Sequence, residues 1–178
     1  DQAAAESVKL IENDQVKVLD ASTAHRVNDS WTYGLPELVQ GQREKIKGSK
    51  RLSVPGCYPT GFSLAVRPLI DAGIIPIDYP ITINAVSGYS GGGKKLIEAY
   101  QNRANSVPIE ELWSYRPYAL QLKHKHLPEM KKYTGLSNFP IFVPSVGHFY
   151  QGMLIQVPLV LSKLSKVVSL EDIQEVYS

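Results

Sequence analysis

The chain has 178 residues, 43% hydrophobic and 20% charged, with a formal net charge of +2. This is ordinary globular composition, with room for one sizeable core or two incomplete ones, and it carries no general attraction to nucleic acid. One cysteine excludes an internal disulfide and suits a reducing, cytoplasmic setting, while no apolar run reaches the ~20 residues that cross a bilayer and no signal-peptide pattern is present.

In chain order, DQAAAESVKLIEN predicts a helix, with Ala4, Val8 and Ile11 at helical spacing and no cap region before it. QVKVLDAS alternates as a strand ending at Asp20, and a polar stretch runs on through Tyr33-Gly34-Leu35-Pro36. The basic residues from Arg43 to Arg51, like those from Lys123 to Lys132, read as solvated faces. RLSVPG is a second short strand with a Pro-Gly turn. From Thr60 to Ala72, Phe62, Leu64, Ala65, Leu69 and Ile70 share one helical face, and Gly73 closes the helix. PITINAV is a strand, SGYSGGGK a glycine-rich loop and KLIEAYQNRA a helix. YRPYALQLKHKH reads as extended, with a short helix from Pro128, and PIFVPSV and GMLIQVPLVLS as strands. In SLEDIQEVYS, Ser169 caps a helix with Asp172 at its third position, and the pattern stops without a terminator. A start in mid-helix and this early stop predict a piece of a longer protein. An α/β portion is expected to precede an α+β portion.

Cys57 falls where RLSVPG turns into the helix. The thiolate is the nucleophile, and unpaired N–H groups at a helix start favour negative charge. The same amides could stabilise an oxyanion on a carbonyl that sulfur attacks. A small buried hydrophobe is the plain alternative. Gly88 to Lys94 matches G-x-x-x-x-G-K between a strand and a helix, but Lys95 stands where a P-loop needs Ser or Thr for magnesium. The loop therefore reads as an anion-binding turn of another kind, or as a flexible turn. His124, His126 and Glu129 could bind zinc or do general acid–base work, and the latter is favoured. A papain-like set of Cys57, His126 and Asn138 lacks that family's local signature.

The segments Val54-Pro55-Gly56-Cys57-Tyr58-Pro59-Thr60, Asp20-Ala21-Ser22-Thr23-Ala24-His25-Arg26, Tyr33-Gly34-Leu35-Pro36-Glu37, Ser87 to Lys94, Tyr118 and His124-Lys125-His126-Leu127-Pro128-Glu129 together resemble the N-acetyl-gamma-glutamyl-phosphate reductases of arginine biosynthesis. The resemblance implies an NADPH-dependent, cytoplasmic oxidoreductase that takes a small-molecule acyl phosphate through a cysteine thioester. It implies α/β plus α+β folds: residues 1–73 as the trailing part of a Rossmann NADP-binding domain, and 74–178 as a substrate domain like that of glyceraldehyde-3-phosphate dehydrogenase. By position, Cys57 is the nucleophile and His126 the acid–base residue. Tyr118, His124, Glu129 and Arg26 line or orient the substrate site. Ser22 and the loop residues Ser87, Gly88, Ser90, Gly91 and Lys94 face the cofactor or a phosphate. No metal, membrane or nucleic acid is implied, and a homo-oligomer, dimer or tetramer, is. The family pattern is not followed at Ser145, His148 and Gln151, nor at His25, where an aromatic is common. No G-x-G-x-x-G turn is present, so these residues alone are expected to be catalytically silent. A reductase of a related acyl phosphate such as aminoadipyl phosphate, and a non-catalytic assembly module, are the alternatives.

Overall fold

A computed structural model describes residues 1–108 and 111–178. The chain forms two compact units, one of residues 1–79, 125–139 and 160–178, the other of 80–124 and 140–159. The expected break after residue 73 thus lies inside the first unit, to which the chain returns twice.

The first unit holds α1 (Gln2–Lys9), β1 (Val18–Asp20), β2 (Thr32–Tyr33), α2 (Gln42–Gly48), β3 (Arg51–Ser53), α3 (Cys57–Asp71), α5 (Leu127–Thr134) and α6 (Leu170–Val176). Its three short strands are all parallel, in the order β1-β3-β2. Bonds from Val54 N to Asp20 O (2.8 Å) and from Gly34 N to Ser53 O (2.9 Å) extend the ladder past the strand ends.

Helix α3 starts three residues before the expected Thr60, because Gly56 in an extended conformation serves as N-cap without any side-chain bond. Its buried stripe is Tyr58, Phe62, Val66 and Leu69, a spacing of three to four residues. Leu64, expected on that face, is instead exposed. Full burial of a ring such as Phe62 contributes about 1.5–3 kcal/mol. The helix ends as Gly73 predicted: at φ +65° it donates to Ile70 O (2.9 Å), and Ile74 N donates to Leu69 O (2.9 Å). That pair of bonds is a Schellman motif, with buried Ile74 and Leu69 as its apolar contact. On α6 the expected capping box is present, Ser169 and Asp172 each bonding the other's backbone N–H. The Tyr177 hydroxyl donates to Ala65 O and ties α6 to α3.

The second unit holds β4 (Thr82–Gly88), a 3₁₀ turn (Tyr89–Gly92), α4 (Lys94–Ala104), β5 (Tyr115–Pro117), β6 (Ile141–Gly147) and β7 (Met153–Gln156). The sheet order is β5-β6-β4-β7; β4 and β6 are parallel and the outer strands antiparallel. Ile83 and Ala85 of β4 and Phe142 of β6 are buried, as is Tyr100 of α4, which stacks on Tyr89. Two expectations are corrected here. Residues 118–126 are not extended, since Ala119 (φ +52°) and Leu122 (φ +56°) turn the chain. The last apolar run pairs only as far as Gln156, because Pro158 has no N–H for a ladder.

Candidate active site

All three strands of the first unit are parallel, so their carboxyl ends share one edge, where open α/β sheets bind ligands. Asp20, Tyr33 and Ser53 end the strands, and Cys57 follows β3 within four residues. Cys57 is exposed at the first position of α3. Its plain alternative, a buried hydrophobe, is excluded by that exposure.

Helix α5 supplies the facing side chains. Pro128 near its start suits the fixed φ of a first turn, and His126 and Glu129 sit three apart, hence on one face. Both are buried. Glu129 Oε1 accepts from Gly56 N (2.7 Å) and from the Tyr33 hydroxyl (2.6 Å). Glu129 Oε2 lies 3.4 Å from Arg26 Nη1. Arg26 also donates from Nε to Val54 O and from Nη2 to Ala21 O, both at 2.9 Å. A Cβ on Gly56 would come within 2.7 Å of Arg26 Nη1, 2.8 Å of His126 Nε2 and 3.0 Å of Glu129 Oε2. The residue before the thiol is therefore wedged among the three predicted side chains.

This geometry sharpens several roles. Arg26, expected at the substrate site, gives three of its five N–H groups to two backbone carbonyls and Glu129, which ties it to the loop before Cys57. Both oxygens of Glu129 are thus engaged within the protein, Oε1 by two donors and Oε2 by Arg26. Gly56 N is bonded to Glu129, Pro59 has no N–H, and the first helical bond of α3 is Thr60 N to Gly56 O (3.0 Å), so the Cys57 amide lies in the turn that precedes the helical ladder. Among the described residues, no group of three or more His, Cys, Asp or Glu could hold a metal.

Ser22, predicted at the cofactor edge, is bonded to Asp20: its N–H donates to Oδ1 (2.8 Å) and its hydroxyl to Oδ2 (2.9 Å). Asp20 Oδ2 also meets His25 Nδ1 at 2.6 Å, and the His25 ring stacks on Trp31 at 4.1 Å. His25 thus replaces an aromatic by stacking as one. Burial pushes the Asp20 carboxyl up, but the bonds from His25 and Ser22 outweigh it and hold it below the usual range. A depressed folded value means stability present above the unfolded value, near 3.9, and lost as pH falls through the lower folded one. Asp20→Asn is expected to melt several degrees lower at pH 7, with the difference shrinking below about pH 4 in melts over pH 2–7.

The remaining predicted residues belong to the second unit. Tyr118 and His124 are half-buried, 5.8 Å apart between ring centroids, and His124 sets its ring edge-on to Phe142 at 5.0 Å. The glycine-rich loop differs from the expected amide cradle. Gly88, Tyr89 and Ser90 donate to the carbonyls of Gly152, Phe149 and Tyr150, and Gly93 to Ser90, each at 3.0 Å. The segment linking β6 to β7 crosses the end of β4 and takes the amides of Gly88, Tyr89 and Ser90. Lys94 is exposed, its nearest carboxylate Glu98 at 3.8 Å. Ser145 is buried in β6 between Pro117 and Val86, His148 packs near Tyr100, and Gln151 is exposed.

The model of the semialdehyde dehydrogenase dimerisation domain matches residues 57–178. The chain belongs to the semialdehyde dehydrogenase family. Among its relatives, the N-acetyl-gamma-glutamyl-phosphate reductase of Trichormus variabilis is 52% identical over 176 residues, covering 98% of this chain and 55% of that protein. The reductase of that name from Chelativorans sp. is 46% identical, covering 97% and 54%. The chain spans about half the length of the curated relatives it matches. The crystal structure of aspartate semialdehyde dehydrogenase II from Vibrio cholerae superposes with a TM-score of 0.69 at 17% identity, over 98% of this chain and 56% of that one. The enzyme from Francisella tularensis gives 0.60 at 14%, over 89% and 54%. At such identities the shared property is the semialdehyde dehydrogenase fold. The family match begins at Cys57, the first residue of α3. What sequence reading missed in this family member is Tyr33 as the second donor to Glu129 and Tyr133, which stacks on Tyr33 at 3.6 Å. Their 96-residue separation from Glu129 in one case, and the lack of any local pattern in the other, hid them.

Proposed function

We propose that this chain carries the thioester-forming site of an N-acetyl-gamma-glutamyl-phosphate reductase, acting in arginine biosynthesis. One observation carries the reading: an exposed Cys57 opens α3 beside a buried clasp of Arg26, His126 and Glu129 around Gly56. The roughly 50% identity to reductases of that name supports the choice of acyl phosphate. In the first half-reaction, Cys57 gives its proton to His126 and its sulfur lone pair to the acyl carbon. The C–O bond breaks toward phosphate, His126 returns the proton to the leaving oxygen, and a thioester remains. The Cys57 amide, in the first turn of α3, is the donor this reading sets against the charge that develops on the carbonyl oxygen.

NADPH, as reductant, supplies hydride chemistry to the whole enzyme. These residues do not themselves fit a dinucleotide cradle: the sequence holds no G-x-G-x-x-G turn, and four amides of the glycine-rich loop are bonded elsewhere. In this reading the parallel β1-β3-β2 sheet is the trailing part of a Rossmann domain. Tyr118 and His124 contact the substrate, with Ser87, Gly91 and Lys94 left as the loop's candidates for a phosphate. The dimerisation-domain match supports a homo-oligomer, for which the exposed Met153 and Leu154 of edge strand β7 offer apolar surface. Among the described residues no helix is long and apolar enough to cross a membrane.

Cys57→Ser in the full-length protein is expected to lower kcat by more than about 10³-fold while leaving the melting temperature within a few degrees. Iodoacetamide should label Cys57 in the parent, and the acyl phosphate should slow that labelling. Retained reduction by Cys57→Ser would sink the reading.

A further inference from the structure

Glu129 has one strong link to the catalytic turn and one strong link away from it. The first is Gly56 N at 2.7 Å and the second the Tyr33 hydroxyl at 2.6 Å, both on Oε1. Its contact with Arg26, at 3.4 Å on Oε2, is long for a charge-assisted bond, which closes to about 2.7–2.9 Å when strong. Arg26 Nη1 and Glu129 Oε2 both crowd Gly56, at 2.7 and 3.0 Å from where its Cβ would stand, so this long ion pair leaves Oε1 to the two shorter bonds. The phenol is the second donor on the oxygen that the Gly56 amide uses.

The phenol is built to stay there. Tyr33 is buried at the end of β2, and its ring stacks on Tyr133 of α5 with planes 17° apart. Tyr133 in turn donates its hydroxyl to the Arg26 carbonyl. Burial, and then the negative charge of Glu129, push the Tyr33 phenol far up, so it remains a donor across the whole working range of pH. The Tyr133 phenol is pushed up to about 12, chiefly by burial.

We infer that Tyr33 is a positioning residue for the cysteine chemistry: through Glu129 it fixes the Gly56 amide, and with it the direction in which α3 presents Cys57. This rests on the proposed nucleophilic role of Cys57. It adds a requirement that neither the fold nor the family match states, namely a hydroxyl at residue 33 rather than an aromatic ring alone.

The test uses the full-length protein with Tyr33→Phe, Glu129→Ala and the double substitution. Tyr33→Phe keeps the ring stack and removes one oxygen. It should lower kcat and the iodoacetamide rate of Cys57 about tenfold each, with KM for the acyl phosphate within about twofold. Because both residues act through one bond, which Glu129→Ala already removes, the double variant should be no slower than Glu129→Ala alone. Unchanged kcat and labelling in Tyr33→Phe would overturn the inference, and so would losses that multiply in the double variant. Should Tyr33→Phe fail to fold, 3-fluorotyrosine at position 33 keeps ring and hydroxyl while strengthening the donor. Competition for the same oxygen should then move the Gly56 amide proton upfield in NMR spectra, and an unmoved amide would overturn the inference. That readout needs no turnover, so it stands apart from the Cys57→Ser result: active Cys57→Ser enzyme with a moved amide removes the function and keeps the coupling.

Discussion

Gly56→Ala is expected to abolish reactivity at Cys57 while leaving most of the fold intact. The backbone there, φ −69° and ψ 150°, suits alanine as well as glycine, so no conformational strain arises. The whole effect comes from one methyl group placed 2.7 Å from Arg26 Nη1, 2.8 Å from His126 Nε2 and 3.0 Å from Glu129 Oε2. Side-chain ends can usually step aside cheaply. Here Arg26 is held by two carbonyls and Glu129 by the very amide that Gly56 donates, so room for the methyl comes only by breaking those bonds or moving the turn. Overpacking of this size costs about 1–3 kcal/mol, a drop of several degrees in melting temperature. A shift of about 1 Å in a reacting group costs about 10² in rate, and both the thiol and His126 would shift. The expected result is a loss of at least about 100-fold in kcat and in Cys57 labelling. Gly48→Ala, where a Cβ meets nothing within 4 Å, is the matched control and should keep parental rates.

Much of this was legible in the sequence because local chemistry writes it. The Gly73 stop, the Ser169–Asp172 box, the strands ending at Asp20 and in RLSVPG, and the β4–loop–α4 order all follow from residues within a few positions of one another. The cysteine at a helix start was legible for the same reason. What was hidden depends on partners far along the chain. Nothing near Arg26 announces Glu129, 103 residues away, and nothing near Tyr33 announces that its hydroxyl serves a carboxylate on another helix. Part of the glycine-rich loop was hidden on the same ground. Its composition permits free amides, but carbonyls at 149–152 take those of Gly88, Tyr89 and Ser90. The extended reading of 118–126 failed because two non-glycine residues adopt positive φ, which alternation of apolar residues cannot reveal.

Glu129→Ala should be the most destabilising single change at the site. Glu129 is 2% exposed and Arg26 8%, so the pair is desolvated on both sides. Replacing such a pair whole with apolar groups can be neutral, but deleting one member leaves the other charge buried alone, at a cost of about 3–5 kcal/mol. Two neutral donors are orphaned as well, Gly56 N and the Tyr33 hydroxyl, in a place where water enters only if the turn opens. Glu129→Gln should cost less than Glu129→Ala, since its amide oxygen still accepts from Gly56, yet its NH₂ then points a donor at a donor. The order of melting temperatures in the full-length protein is therefore expected to be parent, Gln, Ala. Pairing Glu129→Ala with Arg26→Met should recover part of the loss, because the uncompensated guanidinium is gone. Labelling of Cys57 should not recover in that double variant: stability returns with the removal of the stranded charge, whereas the anchor on the Gly56 amide does not. Recovery of both together would mean that the carboxylate serves the fold alone.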